Sequence, residues 1–203
     1  MDSIGSGKRI LDEISNRIIR ITSARMVLAS FIGFVISFIL INNRPFGTEQ
    51  LLDITGGVGL LDMELLYTRE QAYSHLAAMG DAGRAFDLTH IMPLDFVFPF
   101  MYTLFSAVTI TWLLHTWLPA GSGWHRLNVV PLIGGFADYM ENLGIITMLV
   151  AWPSRLPDIA CFTMVAGLVK FTFIILALFI IIGALAGLGI SRIKGRSGRS
   201  PGL

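Results

Sequence analysis

Four long apolar runs limit what this chain can fold into more than any other feature. About Ala24 to Ile41, Met92 to Leu118, Leu127 to Trp152 and Ile159 to Ile190, they come near or exceed the roughly 20 residues that a helix needs to cross a hydrocarbon core of about 30 Å. With 203 residues, 54% hydrophobic and 14% charged, the chain lies outside the range of ordinary soluble domains. The expected fold is all-α, a polytopic transmembrane four-helix bundle. The organisation that follows is an N-terminal amphipathic or cytoplasmic helix over residues 1–22 and a four-helix transmembrane domain over 23–190. An outer loop over 42–91 contains short helices, and a basic flexible tail covers 191–203.

Basic residues precede the first run, so a secretory signal peptide is the competing reading. The run is of spanning length, however, and Ile41-Asn42-Asn43-Arg44-Pro45 lacks the small-x-small pattern of a cleavage site. The single cysteine, Cys161, excludes an internal disulfide and a Cys-x-x-Cys relay.

Charge sets the expected orientation. The first 25 residues hold five Lys/Arg, and the segment after Ile190 holds four (Arg192, Lys194, Arg196, Arg199) with no acid. Both termini are therefore expected on the cytoplasmic side, which four crossings satisfy. The segment Asn42 to Ile91 carries seven acids against three arginines, as an outward loop tolerates. Localisation in a prokaryotic cytoplasmic membrane, with membrane lipids as partners and possible homo-oligomerisation, is the corresponding expectation.

Two extramembrane segments have helical signatures. Ile10, Leu11, Ile14, Ile18 and Ile21 share a helical face, as in a helix lying on the inner leaflet or in an extension of the first span. In the loop, Thr68-Arg69-Glu70-Gln71 has the form of a capping box. It predicts a helix with Ala72, His75, Leu76 and Met79 on its apolar face, ending at Gly80. Asp81 then caps a second segment leading through Arg84 toward the membrane. The pair is read as a lid over the outer mouth or as simple packing on the lipid surface.

With Arg25, at the edge of the first run, counted in the N-terminal flank, only Asp95, Asp138, Glu141 and Lys170 carry charge within the runs. Intramembrane charges are expensive and survive mainly where they pair, face a cavity or act. Pro99 lacks the N–H that would bond the carbonyl of Asp95, which frees an acceptor beside that carboxyl. Tyr102 and Ser106 continue the same face. In the third run, Gly134, Gly135, Asp138, Glu141 and Asn142 share one face by three- and four-residue spacing. Opposite chain directions place Glu141 and Lys170 at similar depth, each about 15 Å in. The candidate ligand-binding or proton-relay residues are thus Asp95, Tyr102, Asp138, Glu141, Asn142 and Lys170, in a cluster expected to open outward. His115, also inside a run, is read as a neutral imidazole held by a backbone carbonyl.

Small residues four apart, Ala29/Gly33/Ser37 and Gly183/Gly187, are packing devices of the kind that lets helices approach closely in lipid. His75 and His90 match no metal-ligand spacing, and no metal site is expected. There is no phosphate loop, nucleophile elbow or nucleic-acid signature, so neither a cofactor nor nucleic acid is expected. Three functional classes fit: a binding or structural protein for lipid or a small amphipathic ligand, a proton-coupled carrier, and an intramembrane acid/base enzyme acting on a lipid-like substrate.

Tyr67-Thr68-x-x-x-Ala72-Tyr73, Met79-Gly80-x-x-Gly83-Arg84, Leu94-Asp95-x-x-Phe98-Pro99-x-x-Tyr102 and Ala137-Asp138-Tyr139-x-Glu141-Asn142 form a pattern covering most of Tyr67 to Leu149. The pattern resembles a family of small four-span prokaryotic integral membrane proteins without an assigned activity. The resemblance implies a fold and a set of shared polar positions, and no mechanism.

Overall fold

The computed structural model describes residues 2–197, and the side chains of residues 7–193. The described residues form helices and connecting loops, with no strand. The helices are α1 (Asp2–Ile21), α2 (Ala24–Asn42), α3 (Thr48–Thr55), α4 (Arg69–Ala78), α5 (Gly80–Phe86), α6 (Met92–Trp117), α7 (Val130–Ala151) and α8 (Pro157–Ser197). Three helical stretches are long and apolar enough to cross a membrane: Ala24–Asn42, Gly80–Trp117 and Pro157–Ile193.

The second stretch revises an expected boundary. The span was expected from Met92, yet α5 continues through a π turn, Asp87–Ile91, directly into α6. Between α4 and α5, Gly80 takes φ +67°, a conformation open to glycine at little cost. Asp81 does not cap α5; the N-cap position is Met79, and Asp81 lies in the first turn. The preceding capping box is present, with Thr68 Oγ1 accepting from Gln71 N–H at 3.2 Å and Gln71 Oε1 accepting from Thr68 N–H at 2.7 Å.

Helix α4 is seated rather than free. Ala72, Tyr73 and Leu76 join Leu51, Leu61, Ile145, Met148 and Ala160 in one buried cluster, and Leu156 N–H donates to Tyr73 Oη at 2.5 Å. His75 departs from the predicted apolar face by bonding Gly59 O at 2.9 Å. Helix α4 thus packs on the protein's own core rather than on a lipid surface.

At the other end, Thr22 and Ser23 separate α1 from α2, and Ser23 Oγ caps α2 by accepting from Met26 N–H. Thus α1 is not a straight continuation of the first apolar helix. It docks on the 3-10 segment Gly123–Val129: Asp12 pairs with Arg126, and Asn128 Nδ2 donates to Ser15 O at 3.3 Å. His115 stacks on His125 with ring centroids 4.0 Å apart, in place of the carbonyl contact expected for it. The flexible tail expected over residues 191–203 is helical as far as Ser197, the end of α8; residues 198–203 lie outside the described residues.

Helix α7 packs between α6 and α8, while α2 packs on α6. Close approach depends on glycine. A Cβ on Gly144 would collide with Thr163 of α8, and one on Gly135 with Thr103 of α6. A Cβ on Gly134 would sit 3.2 Å from Phe173 Cβ. Gly33 faces Met101 and Gly187 faces the Trp117 ring, whereas Gly183 meets no neighbour.

Candidate functional site

All six predicted side chains are buried in one region. Asp95, Asp138 and Lys170 are 3–5% exposed, Tyr102 8%, and Glu141 and Asn142 0%. Spacing explains the convergence: Asp138, Glu141 and Asn142 occupy one face of α7, which the glycines bring against α6 on one side and α8 on the other.

Lys170 is the hub. Its Nζ lies 2.5 Å from Glu141 Oε2, 3.7 Å from Asp138 Oδ1 and 3.6 Å from Asp62 Oδ2. It also donates to Asp62 O at 3.4 Å. The Glu141–Lys170 contact agrees with the similar depths inferred from chain direction. Gly167, one turn before Lys170, lets the Glu141 carboxylate lie directly against α8; a Cβ there would collide with Glu141 Oε1.

Toward α6, Tyr102 Oη donates to Asp138 Oδ2 at 2.9 Å. Asn142 Nδ2 donates to Asp95 O at 2.8 Å, so the carbonyl that Pro99 cannot bond is satisfied from the next helix. The Asp95 carboxyl is different. Its Oδ2 is buried without a hydrogen-bond partner among the described residues. Other acceptors share that condition, including Asp62 Oδ1 and Asn142 Oδ1. The cluster thus holds four carboxyls against a single ammonium, and its unmet demand is for donors or positive charge.

A cavity of about 450 Å³ adjoins this cluster, within the usual range for ligand sites. Asp62, Asp95, Tyr102, Asp138 and Lys170 line one part; Phe34, Phe105, Ile174, Leu178 and Ile181 line the rest. Comparable cavities of about 390 Å³ beside Trp117 and 400 Å³ beside α1 have no charged side chain in their walls. The 3-10 turn Leu61–Met63 carries Asp62 and Met63 into the wall. The cavity follows α6 between α2 and α8, which share no packed interface as extensive as their contacts with α6.

Asp62 is the principal residue that the sequence reading missed. It was counted among seven solvated loop acids, yet it is 8% exposed. Its setting among Leu60, Leu61 and Met63 was a weak signal, since Glu64 in the same apolar run is exposed. Arg84 and Asp87 were likewise assigned to the solvated loop and are 9% and 1% exposed. Arg84 donates to Leu76 O at 2.5 Å, pairs with Asp81 and lies 4.4 Å over the Trp152 ring. Nearby in the loop, burial raises the Tyr67 phenol well above its ordinary range, and the negative charges of Glu141 and Asp62 add to the rise.

Comparison with protein-family models, curated proteins and solved structures finds no match.

Proposed function

We propose that this chain is an integral membrane protein of four spanning helices, with both termini cytoplasmic, that binds a lipid-like amphipathic molecule beside its buried acidic cluster. Helix α7 is the fourth span in this reading. Its 22 residues extend about 33 Å, and Phe136, Leu143 and Val150 on its outer side are 65%, 47% and 67% exposed, as lipid contact demands. The positive flanks support the orientation, and the resemblance to small prokaryotic four-span proteins agrees with it.

One observation carries the binding reading: a single cavity joins charged and hydrogen-bonding walls to a slot of phenylalanine and aliphatic side chains. A purely structural ion pair needs no such space. An amphipathic molecule needs both parts, with its head among Asp62, Asp95 and Tyr102 and its tail along Phe105, Ile174 and Leu178.

Native mass spectrometry of the detergent-purified chain tests this. The expected result is a retained amphiphile, lost when Leu178→Trp fills the slot while the helical circular dichroism persists. A protein that stays free of adducts when supplied with membrane lipid extract contradicts the proposal. The same spectra report whether one or more copies assemble.

The run Tyr102–Asp138–Lys170–Asp62 supports a second reading, a proton path in a coupled carrier. That reading predicts internal pH changes in proteoliposomes under an imposed substrate gradient, abolished by Asp138→Asn.

A further inference from the structure

We infer that the head group bound at this site is an ammonium, so that the ligand is a cationic amphiphile docked on the carboxyl of Asp95. The inference rests on the amphiphile-binding reading and adds the chemistry of the head.

Three observations lead to it. First, the site has acceptors to spare and few donors. The ammonium of Lys170 is engaged by Glu141 at 2.5 Å and lies near both Asp62 and Asp138, the Tyr102 hydroxyl is given to Asp138, and the Asn142 amide is given to Asp95 O. An anionic head, phosphate or carboxylate, would meet surplus negative charge without a free cation. Second, Asp95 lines the cavity, is 3% exposed and leaves Oδ2 unpartnered among the described residues. A buried carboxyl without a partner is costly to ionise, and an incoming cation offsets that cost. Third, the walls beside it are aromatic. Phe98 lies 5.5 Å from Tyr102, 6.0 Å from Phe34 and 6.2 Å from Phe38, centroid to centroid. Ring faces attract ammonium groups, including fully methylated ones that donate no hydrogen bond.

The charge also explains the setting. An ammonium amphiphile partitions into the bilayer by its tail and keeps its head at the interface, so it reaches the space between α2 and α8 laterally, which a free ion cannot do.

The test is isothermal titration calorimetry on the full chain in a neutral maltoside detergent, with decyltrimethylammonium, decanol and decanoate as matched probes. The permanently charged ammonium should bind, decanoate should not, and decanol should bind at least about tenfold more weakly, a difference of about 1.4 kcal/mol. Asp95→Asn should weaken ammonium binding by a similar factor or more and so narrow the gap between ammonium and decanol, while Asp95→Glu should restore much of the loss. Equal binding of ammonium and decanol, or ammonium binding indifferent to Asp95→Asn, overturns the ammonium assignment but leaves the amphiphile reading standing. No binding of any probe, together with no copurifying amphiphile, overturns both. The charged and neutral probes are compared on the unaltered protein, so the outcome is decisive even where Asp95→Asn does not fold.

Discussion

Helices α7 and α8 lie against each other, and α7 carries most of the buried polar face while α8 carries most of the exposed apolar one. In α8, the most apolar stretch has only 17% of its residues buried, and Phe179, Leu178 and Ile182 are 66%, 55% and 53% exposed. In α7, the buried residues include Asp138, Glu141, Asn142 and three glycines, while Phe136 and Val150 face out. Apolarity here tracks exposure. A bilayer solvates hydrocarbon, so large apolar side chains gain little by turning inward, and the interior is left to small residues for close contact and to polar groups that must find one another.

That contrast can be broken at several points. The largest effect should come from Lys170→Met, which leaves Glu141 and Asp138 without their cation. Removing one partner of a buried pair costs about 3–5 kcal/mol, read as a lowered unfolding midpoint in maltoside. The double variant Glu141→Gln/Lys170→Met should recover a substantial part of the loss; an additive double variant would show that the pair is not a unit. Next, Gly144→Leu forces side-chain atoms into Thr163 and should cost at least about 1–3 kcal/mol by overpacking, whereas Gly183→Leu, which meets open space, should be nearly neutral. Asn142→Ala, which orphans the Asp95 carbonyl, should cost about 0.6–1.7 kcal/mol, the range for hydrogen bonds within membranes. Smallest of all, Phe179→Leu on the lipid face of α8 should stay within about 0.5 kcal/mol. Were Phe179→Leu to destabilise more than Asn142→Ala under the same unfolding assay, the division between the two helices would fail.

Much of the site was legible before any coordinates. Periodicity stacked Asp138, Glu141 and Asn142, opposite chain directions levelled Glu141 with Lys170, and Pro99 marked a carbonyl without an intrahelical donor. Each inference uses local geometry that a membrane helix keeps with high regularity. Asp62, Arg84 and Asp87 were not recovered, because their burial depends on how the loop folds back. Seven acids in one segment resemble a solvated surface until Leu51, Leu61 and Leu76 gather into a core and draw Asp62 down to Lys170. The break between α1 and α2 has the same origin: both readings of the N-terminal helix satisfy its pattern, and His125, Arg126 and Asn128, more than a hundred residues away, hold it against the α6–α7 connection.

The amino-acid sequence by itself determined that the chain is helical, where its apolar helices run and which polar residues share a face, since these follow from length, hydropathy and the 3.6-residue period. Tertiary structure decided which polar group meets which. It placed Asp62 beside Lys170, gave the Asp95 carbonyl to Asn142 while leaving the Asp95 carboxyl unpaired, and left a cavity between α2 and α8. Those outcomes depend on distances between segments remote in the chain, and no local period encodes them.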